Sequence, residues 1–95
     1  MAESSWFVYL LKCSDNSYYT GIAQDVKERL NRHQTGRGAE YTKARLPVQL
    51  VYDEKTKNHS EALAREKWFK RQTRQVKEAL IKEWETKQKA SPKRG

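Results

Sequence analysis

Five polar side chains stand out for what they could do together: Tyr9, Tyr19, Arg29, His33 and Glu66. Hydrolysis of a phosphodiester needs an activated water, neutralised charge on the non-bridging oxygens and help for the leaving oxygen. Arginine clamps a phosphate through paired N–H donors. Glutamate can hold one Mg²⁺, a hard cation that takes one or two carboxylates, waters and the phosphate itself. Tyrosine, with an ordinary pKa of about 10, acts as a general base only beside positive charge, which Arg29 and a metal would supply. Taken singly, a strand tyrosine is usually a sheet residue and a histidine on an apolar face a satisfied core group. The set carries the chemistry. Other chemistries lack their signatures: there is no Gly-rich phosphate loop, no His-Glu-x-x-His and no apparent motif of a serine or cysteine nucleophile with its base.

The elements that must hold these groups can be read in order. Residues 6–11 form a nearly unbroken apolar run rich in β-formers, which suits a strand covered on both faces. Residues 14–17 are turn-formers, and 18–22 make a second strand of a hairpin. An even loop would pair Tyr9 with Ile22 and point Tyr9 and Tyr19 to opposite faces. An odd loop pairs Tyr9 with Gly21 and puts both tyrosines on one face. A shared site therefore predicts the odd loop.

Asp25 and Glu28 resemble a capping box, opening a helix to about Gln34 that Gly36 stops. Val26, Arg29, Leu30 and His33 fall on one face of it, the face that should meet the sheet. An arginine there either snorkels out of the interface or lines a polar pocket. Residues 36–45 read as a flexible basic loop in which Arg37, Tyr41, Lys43 and Arg45 suit contact with nucleic acid. An ordinary exposed connection is the competing reading.

Residues 47–53 read as a third strand with Val48, Leu50 and Tyr52 on one face, and 54–58 as a polar turn. Asn58 and Glu61 open a second helix whose inward stripe is Ala62, Leu63, Glu66 and Phe69. A carboxylate amid that stripe needs a metal or a partner, and Lys70 four residues on is the local candidate. Thr73 caps a third helix carrying Val76, Leu80 and Trp84, and the pattern fades from Glu85. The expectation is an α+β domain over residues 1–85, a three-stranded antiparallel sheet flanked by three helices in the order β-β-α-β-α-α. Residues 86–95 should be a disordered basic tail.

Twenty Lys and Arg against 12 Asp and Glu give a net charge of +8 and a pI near 9.7. Such an excess on a 95-residue domain suggests a polyanionic partner, and nucleic acid is the commonest. No basic amphipathic helix has a clean bulky stripe, which argues against a membrane surface. The single cysteine, Cys13, has no disulfide or zinc partner and reads as a buried thiol. The apolar run near the N-terminus is too short for a signal or a membrane span, so a cytoplasmic location is expected.

Phe7, Val8 and Tyr9, then Tyr19, Thr20 and Gly21, then Arg29 with His33, then Glu66 follow one another in an order and spacing that resembles the GIY-YIG nuclease superfamily. The stretch from Gly36 to Thr42 resembles its small stand-alone bacterial members, and the likeness covers about residues 6–82. Phe7 stands where the first motif has glycine and Thr20 where the second has isoleucine. The resemblance implies cleavage of DNA with Mg²⁺ or Mn²⁺. By position, Tyr9 matches the general-base tyrosine and Tyr19 the one that orients water or phosphate. Arg29 matches the catalytic arginine, His33 the residue assisting proton transfer, and Glu66 the metal ligand.

The reading is an endonuclease acting on DNA, more than RNA, at structured or damaged sites in repair or recombination. The alternative is a nucleic-acid-binding module of the same fold with little or no cleavage. No sequence-reading domain accompanies the core, so targeting falls to DNA shape or a recruiting protein.

Overall fold

The computed structural model describes residues 5–90. Strands β1 (Trp6–Lys12) and β2 (Tyr18–Ala23) form the hairpin, followed by helix α1 (Val26–Gln34) and a one-turn helix α2 (Glu40–Lys43). Strand β3 (Gln49–Thr56) and helices α3 (His59–Arg71) and α4 (Arg74–Ala90) complete the domain. The sheet is antiparallel in the order β2-β1-β3. The α+β class, the three-stranded sheet and the three longer helices agree with expectation. The one-turn α2 is additional, and the stretch expected to be a flexible basic loop is in part helical.

β1 lies between two partners, which is why its apolar run is almost continuous. Val8 and Leu10 point to one face and Tyr9 and Leu11 to the other, all of them buried. The hairpin loop holds five residues, 13–17, between the paired Lys12 and Tyr18, so it is odd. Within it Cys13 N–H donates to the Ser17 carbonyl at 2.8 Å, Asp15 accepts the Ser17 N–H at 3.0 Å, and Asn16 takes a left-handed φ of 68°. Tyr9 consequently pairs with Gly21 and Leu11 with Tyr19, placing both tyrosines on one face.

β3 departs from expectation. It begins at Gln49, two residues after Pro47, and runs through the supposed polar turn to Thr56. Leu10 pairs with Tyr52 but Leu11 with Leu50, so Val51 is an extra residue, a β-bulge. The bulge breaks the alternation. Val48 and Leu50 pack with Tyr9 and Leu11, whereas Tyr52 turns to the other face with Val51. Val48, Leu50 and Tyr52 therefore do not share a face.

α3 and α4 cover the face of Val8 and Leu10, closing a core with Tyr52, Ala62, Phe69 and Ile81. The predicted stripe of α3 holds at Ala62 and Phe69, both fully buried, but Leu63 is 39% exposed. Asn58 caps α3 by accepting the Glu61 N–H at 2.8 Å, and Thr73 accepts the Val76 N–H at 3.3 Å at the start of α4. α4 extends to Ala90, so residues 86–90 of the supposed tail continue the helix, while 91–95 lie outside the described residues.

α1 covers the other face through Val26 and Leu30. Asp25 accepts the Glu28 N–H at 3.0 Å, but Glu28 does not return the bond to its cap and instead pairs with Arg32. At the far end the Gln34 amide holds the start of β3 from both sides: its Nε2 donates to the Val48 carbonyl at 2.5 Å, and its Oε1 accepts the Val48 N–H at 3.2 Å. Gly36 closes the helix with φ of 76°.

Candidate active site

The site lies where α1 and α2 meet the Tyr9 face of the hairpin. Tyr9 Oη is 2.9 Å from His33 Nε2, and the ring's other nitrogen, Nδ1, is 2.7 Å from Thr42 Oγ1. Thr42 Oγ1 donates in turn to the Ala39 carbonyl at 3.0 Å. Tyr9, His33 and Thr42 are all buried. Tyr19 leans over the pair, its ring centre 5.2 Å from that of His33 and 6.5 Å from that of Tyr9.

Two glycines make room for this packing. A Cβ on Gly21 would come within 2.6 Å of Tyr9 Oη and 3.1 Å of the Tyr19 ring, so Tyr9 lies across the bare backbone of its own pairing partner. A Cβ on Gly38 would overlap the His33 imidazole. The glycine of the basic loop thus permits close approach to a side chain of the protein itself.

Arg29 reaches the site from the first half of α1. Its Nη1 donates weakly to the Ile22 carbonyl at 3.4 Å, and among the described residues its Nε is the one buried side-chain polar atom left without a partner. A buried donor with no acceptor costs about 1–3 kcal/mol. Of the two sequence readings, the pocket-lining one fits. Arg29, Arg32 and Arg37 wall a depression of about 310 Å³ that is floored by Tyr9, Tyr19 and His33 and edged by Gly38 and Ala39. A larger hollow of about 570 Å³ beside Ser5 and Thr56 gathers no such set.

The electrostatics keep the relay neutral. Burial pushes the Tyr9 phenol well above its ordinary range; the nearby Tyr19 adds to this, and the charge of Arg29 opposes it. Tyr19 is raised as well, first by burial. His33 is lowered, by burial and then by the charge of Arg29. Tyrosine and imidazole are both uncharged at neutral pH, and no phenolate stands ready as a base.

Glu66 is on α3, the helix that packs against β1 and β2. Its side chain is 19% exposed, and its charge is felt by both Tyr9 and Tyr19. Lys70 Nζ stands 3.4 Å from it, the pair anticipated four residues on. With Lys70 largely in solvent, such a pair is worth only about 0.3–0.5 kcal/mol, little hindrance to a divalent ion. Among the described residues no three His, Cys, Asp or Glu side chains gather to form a metal cage. The donor set fits a hard cation held by one carboxylate, with water and phosphate completing its shell.

The four residues proposed for nucleic-acid contact divide. Arg37 lines the depression, with its Nε bonded to Thr35 Oγ1 at 3.0 Å. Lys43 is exposed beside Glu40 at 3.7 Å. Tyr41 and Arg45 are engaged internally: Tyr41 stacks on Tyr19 with ring centres 6.1 Å apart, and the Arg45 guanidinium lies 3.8 Å over the Tyr41 ring. Arg45 also bonds Asp15 at 3.0 Å and the Tyr41 carbonyl at 2.9 Å. This chain of contacts ties the α2 segment to the hairpin loop. Sequence reasoning missed Thr42, Arg32 and the part played by Gly38. The available signal was the stretch from Gly36 to Thr42 itself, whose folding as a turn and short helix brings Thr42 back over His33.

A three-stranded antiparallel sheet with a tyrosine pair, an arginine and a histidine on one face, and on the helix packed against the other a glutamate whose charge reaches both tyrosines, defines the class. The family description "GIY-YIG catalytic domain" matches residues 5–80, and the chain belongs to the GIY-YIG family, a nuclease family. Within it the chain is similar to small bacterial UPF0213 proteins. It is 57% identical over 79 residues to one from Staphylococcus aureus (strain Mu3), covering 83% of this chain and 96% of that one. It is 50% identical over 82 residues to one from Streptococcus agalactiae serotype V, covering 86% and 93%. Two solution NMR structures resemble the fold. EF2693 of E. faecalis matches with a TM-score of 0.59 and 36% identity over 90% of this chain and 93% of that one. The UPF0213 protein BH0048 of Bacillus halodurans matches with a TM-score of 0.53 and 38% identity over 82% and 83%. Among the described residues no helix is long and apolar enough to cross a membrane.

Proposed function

We propose that this protein is a divalent-metal-dependent endonuclease that hydrolyses phosphodiester bonds in DNA, at structured or damaged sites in repair or recombination. The observation that carries the reading is Arg29 Nε, a buried donor without a partner, beside the depression that holds the Tyr9–His33 pair. A phosphate seated there would satisfy that donor, and Arg32 and Arg37 add positive charge around it. The family and the net charge of +8 support nucleic acid as the polyanion.

Tyr9 serves as the group that takes a proton from the attacking water. With its pKa raised by burial the phenol carries its proton, and it hands that proton to His33 as it accepts the new one. Tyr19 orients the water or phosphate from above. Arg29 balances charge as it builds on the phosphoryl oxygens. Glu66 would hold Mg²⁺ or Mn²⁺, and such an ion, once bound, stabilises charge on the phosphate and leaving oxygens.

The test is incubation with branched, nicked and single-stranded DNA, and with RNA, each with and without Mg²⁺ or Mn²⁺. Metal-dependent cleavage of DNA that Glu66→Gln removes while binding persists is the expected result. The second reading, a binding module, is favoured by one feature: Glu66 already has Lys70 as a partner. Tight DNA binding with no metal-dependent cleavage of any substrate would select it.

A further inference from the structure

The geometry points to Thr42 as the positioning residue that fixes the tautomer of His33, and with it the direction in which Tyr9 holds its proton. Only the catalytic consequence of this rests on the proposed nuclease activity. The starting point is local. Ala39 is the N-cap of α2 and Thr42 lies three residues on, so the Thr42 hydroxyl turns back onto the Ala39 carbonyl at 3.0 Å. The same oxygen is 2.7 Å from His33 Nδ1, and across the ring Nε2 is 2.9 Å from Tyr9 Oη.

These are three short contacts, and a neutral imidazole, one threonine and one tyrosine bring three protons to them. One arrangement gives each contact a proton. His33 Nδ1–H donates to Thr42, Thr42 O–H donates to Ala39, and Tyr9 O–H donates to Nε2. With the ring proton on Nε2 instead, Thr42 must turn its hydroxyl to Nδ1. Its oxygen then faces the Ala39 oxygen at 3.0 Å with no proton between them. The Lys43 N–H also donates to that carbonyl at 3.0 Å, but this leaves the two facing oxygens opposed in a buried spot. The Nδ1–H form is favoured.

The surroundings hold the ring in place and uncharged. The Gly38 backbone lies against the imidazole so closely that a Cβ would overlap it, which bars the ring from tilting away. The charged and titratable groups around His33 are Tyr9 of β1, Tyr19 of β2, Arg29 and Arg32 on its own helix and Arg37 beyond it, with Glu66 of α3 acting on the two tyrosines.

With Nε2 as the acceptor, the Tyr9 oxygen keeps its lone pairs for accepting, toward the depression it lines and toward the neighbouring Arg29. The step then balances. The water O–H breaks as the Tyr9 oxygen takes its proton, and the original Tyr9 proton moves to Nε2. The freed electron pair forms the new O–P bond, the bond to the leaving oxygen breaks, and that oxygen takes a proton from solvent. The imidazolium left behind, its Nδ1–H still held by Thr42, returns its proton to solvent through Tyr9. In the other tautomer Nε2 has no lone pair to receive a proton, and the relay is blocked.

Ring ¹⁵N NMR of histidine-labelled protein tests the assignment without any substrate, with His59→Gln identifying the second histidine. Above its titration, wild-type His33 should show a protonated Nδ1 and an unprotonated Nε2. Thr42→Val, which removes the hydroxyl and keeps the branched shape, should move population to Nε2–H, and Thr42→Ser should restore the wild-type pattern. In cleavage, Thr42→Val should lower kcat by roughly ten- to hundredfold with KM held, within the range for general acid–base help. An Nε2–H tautomer in the wild type overturns the inference, and this arm needs no variant to fold. So does an Nδ1–H pattern unchanged in a folded Thr42→Val protein. Absence of cleavage by the wild type would instead count against the nuclease reading and leave the spectra to decide on Thr42.

Discussion

The two faces of the sheet do different work with the same strand. Toward α3 and α4, β1 presents Val8 and Leu10 to a cluster of Val51, Tyr52, Ala62, Phe69 and Ile81. Toward α1 it presents Tyr9 and Leu11, and there the buried neighbours include His33 and Thr42, with the orphaned Arg29 Nε beside them. One face is closed by dispersion and hydrophobic burial; the other trades part of that burial for a polar relay that must be fully hydrogen-bonded to be tolerated. The polar face keeps only the smaller apolar cluster of Tyr9, Leu11, Cys13, Ala23 and Val48, so the α3–α4 face carries the larger share of the stability and the polar face holds the candidate site. That division can be broken from either side.

The largest effect on stability should come from Phe69→Ala. Phe69 is fully buried against Tyr52, with ring centres 5.4 Å apart, and its truncation should cost about 3–5 kcal/mol in urea unfolding. Cleavage per folded molecule, measured where the variant is still native, should change little. Arg29→Ala should invert this pattern. On the proposed mechanism its loss removes the charge set against the phosphate, and cleavage should fall by roughly 10²–10³-fold. Stability should hold or rise slightly, because an unsatisfied buried donor goes with it. If Arg29→Ala were as destabilising as Phe69→Ala, the two faces would not be divided as described.

Gly21→Ala tests the boundary between the faces. The new Cβ would fall 2.6 Å from Tyr9 Oη, and the ring has to yield, dragging the hydroxyl from His33. Overpacking of this kind costs about 1–3 kcal/mol. Here activity and stability should fall together. The glycine is required by this contact and not by its backbone, since only Gly36 among the described glycines has a left-handed φ.

How far these features were legible in the sequence follows the same line. The hairpin was legible because side chains alternate and loop parity alone decides whether Tyr9 and Tyr19 share a face. The α1 face was legible because Arg29 and His33 are spaced by a helical turn. Tyr52 was misplaced because a bulge at Val51 inserts one residue that no local signal marks. Leu63 was placed inside because helical spacing allows it, but α3 turns Ala62 and Phe69 to the sheet and leaves Leu63 at the rim. Thr42 was missed for a different reason: its partner is nine residues earlier in the chain, across a turn whose path is set by packing on Gly38 and by the Tyr41–Arg45–Asp15 contacts. Periodicity finds groups held by regular elements and overlooks groups delivered by a turn.

The smallest expected effect is a pH dependence belonging to the polar face alone. Burial and Arg29 lower the pKa of His33 in the folded protein below the ordinary histidine value of about 6.5. As pH falls below that value the unfolded chain takes up a proton that the folded protein resists, so the unfolded state binds more protons. Stability contributed by this site is therefore complete above about pH 6.5 and declines as pH drops toward the folded pKa, below which the loss stops growing. One group cannot produce a slope steeper than about 1.4 kcal/mol per pH unit. Asp53, whose carboxyl is pushed up by burial, contributes with the opposite sign in acid. Its effect cancels when wild type is compared with His33→Gln at matched pH. Urea midpoints between pH 7.5 and 5 should thus slope in the wild type and flatten in the variant. An equal slope in both would place the titrating group elsewhere, and would mean that the imidazole of the polar face is not held in its neutral form.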